Sequence, residues 1–351
     1  MELRWRDIVV CDYEIELSDS ALVEYDLYGR GLQAAPRVLL GEREVLGSTR
    51  RPGVIDIPAA VYDTFCARVR ARLLTLTGAL AARSAFDDAR TRLGAALDAL
   101  DAQLKMRAQP SGVGALIRAL DRVMAFHTLN WLLPVQEAQR HLAGLFGAEH
   151  AARACLLAQM VPTTSAHLLD VHALLLDAAR TADAAMFAEQ AGFLHAQGMA
   201  TTAWEDPTTA AAVLHKAAAR HGGDLAGQVT GLRAVHARAS GRRDALYAAA
   251  LLASAGDPAA YKRTQAIAVA CRLAADEEEF RKVAQQRTLR GLRRLACAHG
   301  FDPMDLPLSE FAACAHSGAN RTGAGAAAVS IAGSGSAPET ERGTGRRATR
   351  C

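Results

Sequence analysis

Lysine is almost missing from this chain. Lys105, Lys216, Lys262 and Lys282 are the only lysines among 40 basic residues, so arginine carries nearly all the positive charge. That usage has the look of GC-rich coding, which lowers the information in any single arginine. Aromatics make up 5% of the residues, too few for a sheet sandwich built on large rings. No run of about 18 apolar residues occurs, so no membrane-spanning helix is expected. The charged start Met1–Asp7 lacks the apolar run of a secretory leader. The seven cysteines form no Cys-x-x-Cys pair, and their number is odd. Buried thiols in a reducing cytoplasm are expected rather than a disulfide framework or a zinc cluster. Neither GxxxxGK[ST] nor a strand-linked GxGxxG is present, which removes two routes to nucleotide binding, and HExxH is also lacking. No 34- or 40-residue period recurs, so a helical solenoid is disfavoured. The excess of basic over acidic residues is +3, too small to announce a nucleic-acid partner.

What the chain does have is alanine. It holds 76, about a fifth of its 351 residues. Alanine is the best helix former and a poor strand former, so a mainly α body with small helix–helix contacts is expected. The length suits two or three units, or one large helical body with an appendage. Residues 1–58 read as a small β-containing segment. The signals are Val9-Val10, Tyr13 to Leu17, a hairpin from Val38–Leu40 to Val45-Leu46 around Gly41, and the alternating run Val54–Ile57.

Residues 59–316 read as an α-helical domain. Pro58 suits a helix start, and Val61, Phe65, Val69, Leu73 and Leu76 recur at steps of three and four to about Ala82. Ser84 with Asp87 reads as a cap for a second helix to about Met106, and Ser111 opens a third. Pro134, Pro162, Asp206-Pro207 and Asp257-Pro258 mark boundaries. Glu277 to His299 reads as one long charged helix with Gly300 past its end. Residues 317–351 are rich in Gly, Ala, Ser, Thr and Arg and almost without apolar bulk. A disordered tail is expected there.

Several groups invite chemistry. Arg287, Arg290 and Arg294 lie at i, i+3 and i+7, one stripe on a helix, and guanidinium groups bind phosphate or carboxylate bidentately. The stripe is a candidate contact for an anionic ligand or a partner, against the plainer reading of a solvated or ion-paired face. His127 and Trp131 stand one turn apart before Pro134, where an aromatic and a polar group beside a helix break could line a pocket. The plainer reading is core packing. His167, Asp170 and His172 do not share one helical face, so no metal site is expected there, and none is expected elsewhere. Phe86-Asp87-Asp88-Ala89-Arg90 is similar to the Asp-rich helix of class I terpene enzymes but lacks its third acidic position. Asp87 and Asp88 read instead as charges complementing a helix N-terminus.

Three segments in order resemble the central region of phosphoenolpyruvate synthase-like proteins, the group that includes rifampin phosphotransferase. They are Phe193–Gly198 with Trp204-Glu205-Asp206-Pro207, then Asp276–Arg281 running on through Arg287, Arg290 and Arg294, then Asp305–Phe311. The resemblance covers about residues 160–310. It implies a helical substrate-binding role without the family's ATP-grasp domain. Thr163–His167 echoes the family's phosphohistidine loop, but no glycine pair precedes it and Ala166 separates Ser165 from His167. The function so implied is a substrate- or partner-binding component of a split phosphotransferase system, with secondary metabolism as its expected setting. Its partners would be separate ATP-grasp and phosphohistidine subunits and a small organic substrate, with no cofactor, nucleic acid or membrane of its own. Two other readings stand beside it: a non-catalytic helical interaction protein, and a self-sufficient α-helical enzyme using His127 or His167.

Overall fold

A computed structural model describes residues 22–51, 54–106, 112–127, 135–147, 167–192, 203–222, 224–298, 308 and 310–311. Among these the chain is mainly helical. Helix α1 (Leu22–Ala35) runs into a π-helical turn (Pro36–Leu40), and strands β1 (Ser48–Arg51) and β2 (Val54–Asp56) follow. Then come α2 (Ala59–Leu73), α3 (Leu76–Lys105), α4 (Val113–Phe126), α5 (Val135–Phe146), α6 (His167–Thr181) and α7 (Ala184–Gln190). A 3₁₀ turn (Ala203–Glu205) leads into α8 (Pro207–His221), α9 (Leu225–Ala253) and α10 (Pro258–Ala298).

The principal core lies between α1, α2, α3, α4 and α10. Phe86, Leu93, Leu97 and Leu100 of α3 meet Leu116, Leu120 and Val123 of α4 and Leu273, Leu289, Leu292 and Leu295 of α10. Each fully buried Leu or Phe contributes about 1.5–3 kcal/mol relative to exposure. A second cluster joins α5, α9 and α10 through Leu142, Tyr247, Ile267 and Cys271. Two smaller ones hold α6, α7 and α8 around Phe187 and Leu214, and α6 and α9 around Leu176 and Leu225.

The boundaries follow from capping chemistry. Asp206 accepts from the Thr209 amide at 2.8 Å and Asp224 from the Gly227 amide at 3.0 Å, so α8 and α9 begin where an aspartate meets orphan N–H groups. Asp257 does the same for α10, accepting from the Ala259 amide at 2.8 Å, with Pro258 at the first helical position.

The expected helix from Ala59 to about Ala82 is instead two. Thr75 is extended and its side chain accepts from the Gly78 amide at 3.1 Å, so α3 starts there and carries on through Ser84. Ser84 is therefore not a cap, and Asp87 and Asp88 are not first-turn charges. They pair along α3 with Arg83 at 3.0 Å and Arg92 at 2.9 Å.

The β-containing reading of residues 1–58 also needs correction. Its described part is helical through α1 and the π-helical turn. Val38–Leu40 belongs to that turn, which ends at Gly41 with φ 75°. Leu39 and Leu46 are buried in the principal core, so their apolar character serves packing rather than pairing. What remains is one antiparallel hairpin in which Thr49 faces Ile55. Residues 1–21, Pro162 and the tail 317–351 lie outside the described residues.

Cys66 and Cys271 are free. Cys297 is disulfide-bonded, which departs from the expectation of free thiols throughout. No described helix is long and apolar enough to cross a membrane.

Gly31 is where α1 comes closest to α4. A Cβ there would stand 2.5 Å from the Met124 Cβ and 2.9 Å from its carbonyl carbon. Backbone cannot yield as a flexible side chain can, so Gly31→Ala should destabilise by about 1–3 kcal/mol. Thermal denaturation checks this. An unchanged melting temperature would mean that α1 is not seated as described.

Candidate functional site

The charged chemistry gathers along α10. Although its sequence between Asp276 and Arg294 is strongly polar, much of that stretch is inside the protein. Asp276, Glu277, Arg281, Arg290 and Arg293 are all buried. Buried charges persist only when paired and hydrogen-bonded, so each needs a partner, on a neighbouring element or on α10 itself.

The arginine stripe shows how they do so. Arg287 reaches α3, donating to Asp101 at 2.9 and 2.6 Å and to Asp98 at 2.7 Å. Arg290 donates to the Glu189 carbonyl at 2.7 Å and to its carboxylate. Arg294 reaches the same carboxylate at 3.2 Å. Arg293, which the stripe did not include, pairs with Glu205 of the 3₁₀ turn. The stripe therefore binds this protein's own carboxylates. It clamps α3 on one side of α10, and α7 with the 3₁₀ turn on the other.

The second group lies about two turns earlier, where α4 ends against α10. His127 is the C-terminal cap residue of α4. Its Nδ1 stands 4.0 Å from Glu277 Oε1 and 3.9 Å from Glu278 Oε2. Arg281 lies across the same carboxylates, its Nε 3.2 Å from Glu277 and its Nη2 2.6 Å from Glu278. A third nitrogen of Arg281 donates to Gln285 Oε1 at 3.1 Å. Lys282 meets Glu278 at 3.2 Å on the outer side. The Tyr28 ring of α1 packs on the imidazole with centroids 5.6 Å apart. Beneath, Phe86 meets Phe126 and Phe280 edge-on at 5.4 and 6.1 Å.

Burial first, then the positive charge of Arg281, pushes the His127 pKa down to about 3, while Glu278 works weakly the other way. The imidazole is neutral at neutral pH and offers a lone pair rather than a charge. Burial works to raise the Glu278 carboxyl, but Arg281 outweighs it and the net direction is down. The ligand-type atoms of His127, Glu277 and Glu278 all lie within 4.8 Å of one another. Sequence reading singled out His127 but paired it with Trp131, which lies outside the described residues. It missed the glutamates because 150 positions separate them from the histidine. The available signal was an acidic run placed inside a helix whose flanks are apolar.

Of the other sequence candidates, His167, Asp170 and His172 fall within α6, and Thr163–Ala166 lie outside the described residues. Trp204 and Glu205 form the 3₁₀ turn. The Trp204 ring packs on Phe187 at 5.6 Å, and Glu205 takes Arg293. Gly192 allows this turn to close, since a Cβ there would stand 2.4 Å from the Trp204 carbonyl oxygen. Of the last resemblance segment, Leu308 and Phe311 join the principal core, and the Leu308 amide donates to Asp26 at 3.0 Å. No protein-family model matches the chain, and no curated protein or solved structure matches it either.

The Glu189 clamp has a pH signature. Burial works to raise that carboxyl, but Arg290 and Arg294 outweigh it and hold it below the ordinary 4.5. Its stabilising contribution is complete above that value and is lost as the pH falls through the depressed one. Glu189→Gln should cost about 1–2 kcal/mol at neutral pH, because it weakens charge-assisted bonds to the buried Arg290. The difference from wild type should vanish on acidification, which melting curves across the acid range would reveal. A difference independent of pH would show that the carboxylate charge is not what holds α7.

Proposed function

We propose that this chain is a helical docking protein, the partner-binding component of a larger system, and that the partner sits on α9. One observation carries the reading. Arg233, Arg238 and Arg242 of α9 are exposed, and none pairs with a described residue, while the arginines of α10 are consumed internally. The segment 207–253 holds six cations, Lys216, Arg220, Arg233, Arg238, Arg242 and Arg243, against Asp224 and Asp244. That local excess is larger than the +3 of the whole chain, so the rest of the protein is close to neutral or slightly acidic.

The middle of α9 is exposed around most of its circumference. Its first turns pack on α6 through Leu225 and Val229, and its last turns pack near α5 and α10 through Tyr247 and Ala250. The stretch between is a bridge with solvent on several sides. Val235, 48% exposed, sits among its arginines. An apolar residue within a cationic face suits the mixed rim of a protein interface better than a track of phosphates. The occupant we assign is therefore an acidic protein surface.

The sequence resemblance supplies candidates for it, namely separate ATP-grasp and phosphohistidine subunits. In this reading the chain orients those subunits, and its own histidines carry no phosphoryl group. Presentation of a small organic substrate belongs to the same proposal and rests on the resemblance alone.

The test reverses charge where no ion pair among the described residues depends on it. Arg233→Glu, Arg238→Glu and Arg242→Glu combined should leave helix content and melting temperature nearly unchanged, since Glu is as good a helix former as Arg. Each exposed pair contributes at most about 1 kcal/mol, so the triple change should weaken a complex isolated from source cells roughly a hundredfold. Raising the salt should weaken the wild-type complex as well. A partner bound equally by the triple variant, with no salt dependence, would remove α9 as the docking face.

A further inference from the structure

We propose that His127, Glu277 and Glu278 form a binding site for one first-row divalent metal ion, of the class of manganese, iron or zinc. The inference goes beyond the docking reading and stands on separate residues.

The first support is spacing. An imidazole that simply hydrogen-bonds a buried carboxylate stands about 2.7–3.2 Å from it. Here Nδ1 is held 4.0 and 3.9 Å from two different carboxylates, nearly equidistant and within bonding reach of neither. The three ligand-type atoms lie within 4.8 Å of one another. Around an ion with bonds of about 2.0–2.2 Å, neighbouring ligand atoms sit about 3.0–3.4 Å apart. A contraction of about half an ångström to an ångström, within the range of side-chain adjustment, brings Nδ1 to that spacing from both carboxylates.

The second support is the kind of donor. One neutral imidazole nitrogen and two carboxylate oxygens, with no sulfur, suit manganese, iron or zinc. They suit monovalent copper poorly, because it seeks thiolate or thioether. They suit magnesium and calcium poorly too, because those ions seek oxygen alone.

The third support is rigidity. Glu277 and Glu278 stand in the middle of α10, where Asp276, Glu277 and Arg281 are buried, and His127 closes α4 against the Phe86–Phe126–Phe280 ring cluster. Ligands whose conformations are fixed by packing lose little freedom when they bind.

Arg281 has a definite part in this arrangement. Its Nε and Nη2 lie against the same two oxygens that would bind the ion. A carboxylate oxygen has lone pairs for both a guanidinium and a metal, so Arg281 can remain as an outer contact that aims the ligands. Without metal it is the counter-ion that keeps the buried Glu277 carboxylate and its half-buried neighbour Glu278 tolerable. With metal its charge opposes the ion and lowers the affinity. Three protein ligands leave coordination positions open. Glu278, with 32% of its side chain exposed, marks the solvent side. Water or the oxygen of a small anionic ligand would complete the shell from there.

The experiment uses the full chain, stripped with a chelator and returned to buffer. Calorimetric titration with manganese and zinc should find one ion per chain, with magnesium binding at least tenfold more weakly. The electron paramagnetic resonance of the manganese complex should carry the coupling of one nitrogen. His127→Gln should abolish that coupling and weaken binding at least tenfold, while helix content and the metal-free melting temperature stay close to wild type. Glu277→Gln should weaken binding similarly. If that variant fails to fold because Arg281 loses a partner, His127→Gln alone decides, since it exchanges one neutral side chain for another. Absence of stoichiometric binding would overturn the proposal. So would an ion held equally by His127→Gln, because it would belong to other residues.

Discussion

Everything in this fold leans on the requirement that charges buried along α10 meet opposite charges on their neighbours. The helix passes through the principal core, yet it carries Asp276, Glu277, Arg281, Arg290 and Arg293 where water does not reach. Removing an ion from water costs several kcal/mol after relaxation, and attraction in the interior offsets this only when geometry is good. A one-residue slip of α3, α7 or the 3₁₀ turn would strand several of these groups at once. Arg83 of α3 takes Asp276, Asp98 and Asp101 take Arg287, Glu189 takes Arg290 and Arg294, and Glu205 takes Arg293. Alanine-rich helices have smooth surfaces that pack acceptably in more than one register. The ion pairs select one of them, so their contribution here lies in specificity more than in net stability.

That division of labour explains which features were legible in the sequence. The apolar periodicity of Leu116, Leu120, Val123 and Met124 and the caps at Asp206 and Asp257 are local signals, and the structure keeps them. The break at Thr75 was hidden because Leu73 and Leu76 continue the apolar step of three on either side of it. The Val38–Leu40 run misleads for a different reason. Two or three consecutive apolar residues beside glycine fit a strand, but they fit equally a helical turn that buries Leu39 against a neighbouring core.

The candidate site divides along the same line. A stripe of arginines at helical spacing is visible in one dimension, but whether it faces solvent or carboxylates is a tertiary fact. The complementary signal was present: Asp98 and Asp101 stand three apart on α3, so they share a face and can grip one guanidinium from two sides. Glu189 and Glu205 belong to different short elements and could not be matched to Arg290 or Arg293 before the fold was known. Glu277 and Glu278 were read as part of a charged helix, and charged helices are ordinarily solvated. What contradicts that reading is the length of α10. A helix of 41 residues that crosses the body must bury whatever lies at its middle.

The contrast between α10 and α9 then becomes informative. Both are long and arginine-bearing; α10 runs from the principal core into the second cluster, while α9 joins that second cluster to the one it shares with α6. On α10 the guanidinium groups are spent on internal carboxylates, and the helix is immobilised by them. On α9, Arg243 is buried with Asp244 beside it at 3.0 Å, and Asp244 also takes Arg272 of α10 at 2.9 Å. That node ties the two helices together beside the packing of Tyr247 on Ile267 and Cys271. It leaves Arg238 and Arg242, one turn apart on the exposed side of α9, without a carboxylate partner among the described residues. Were all these arginines a mere product of coding bias, paired and unpaired ones would be scattered over both helices alike. Instead the α10 arginines, buried or exposed, pair with carboxylates, and the arginines without a partner among the described residues lie on the exposed middle of α9. Burial accounts for the pairing of Arg281, Arg290 and Arg293, and the exposed arginines of α9 are the ones to which the proposed docking role is assigned.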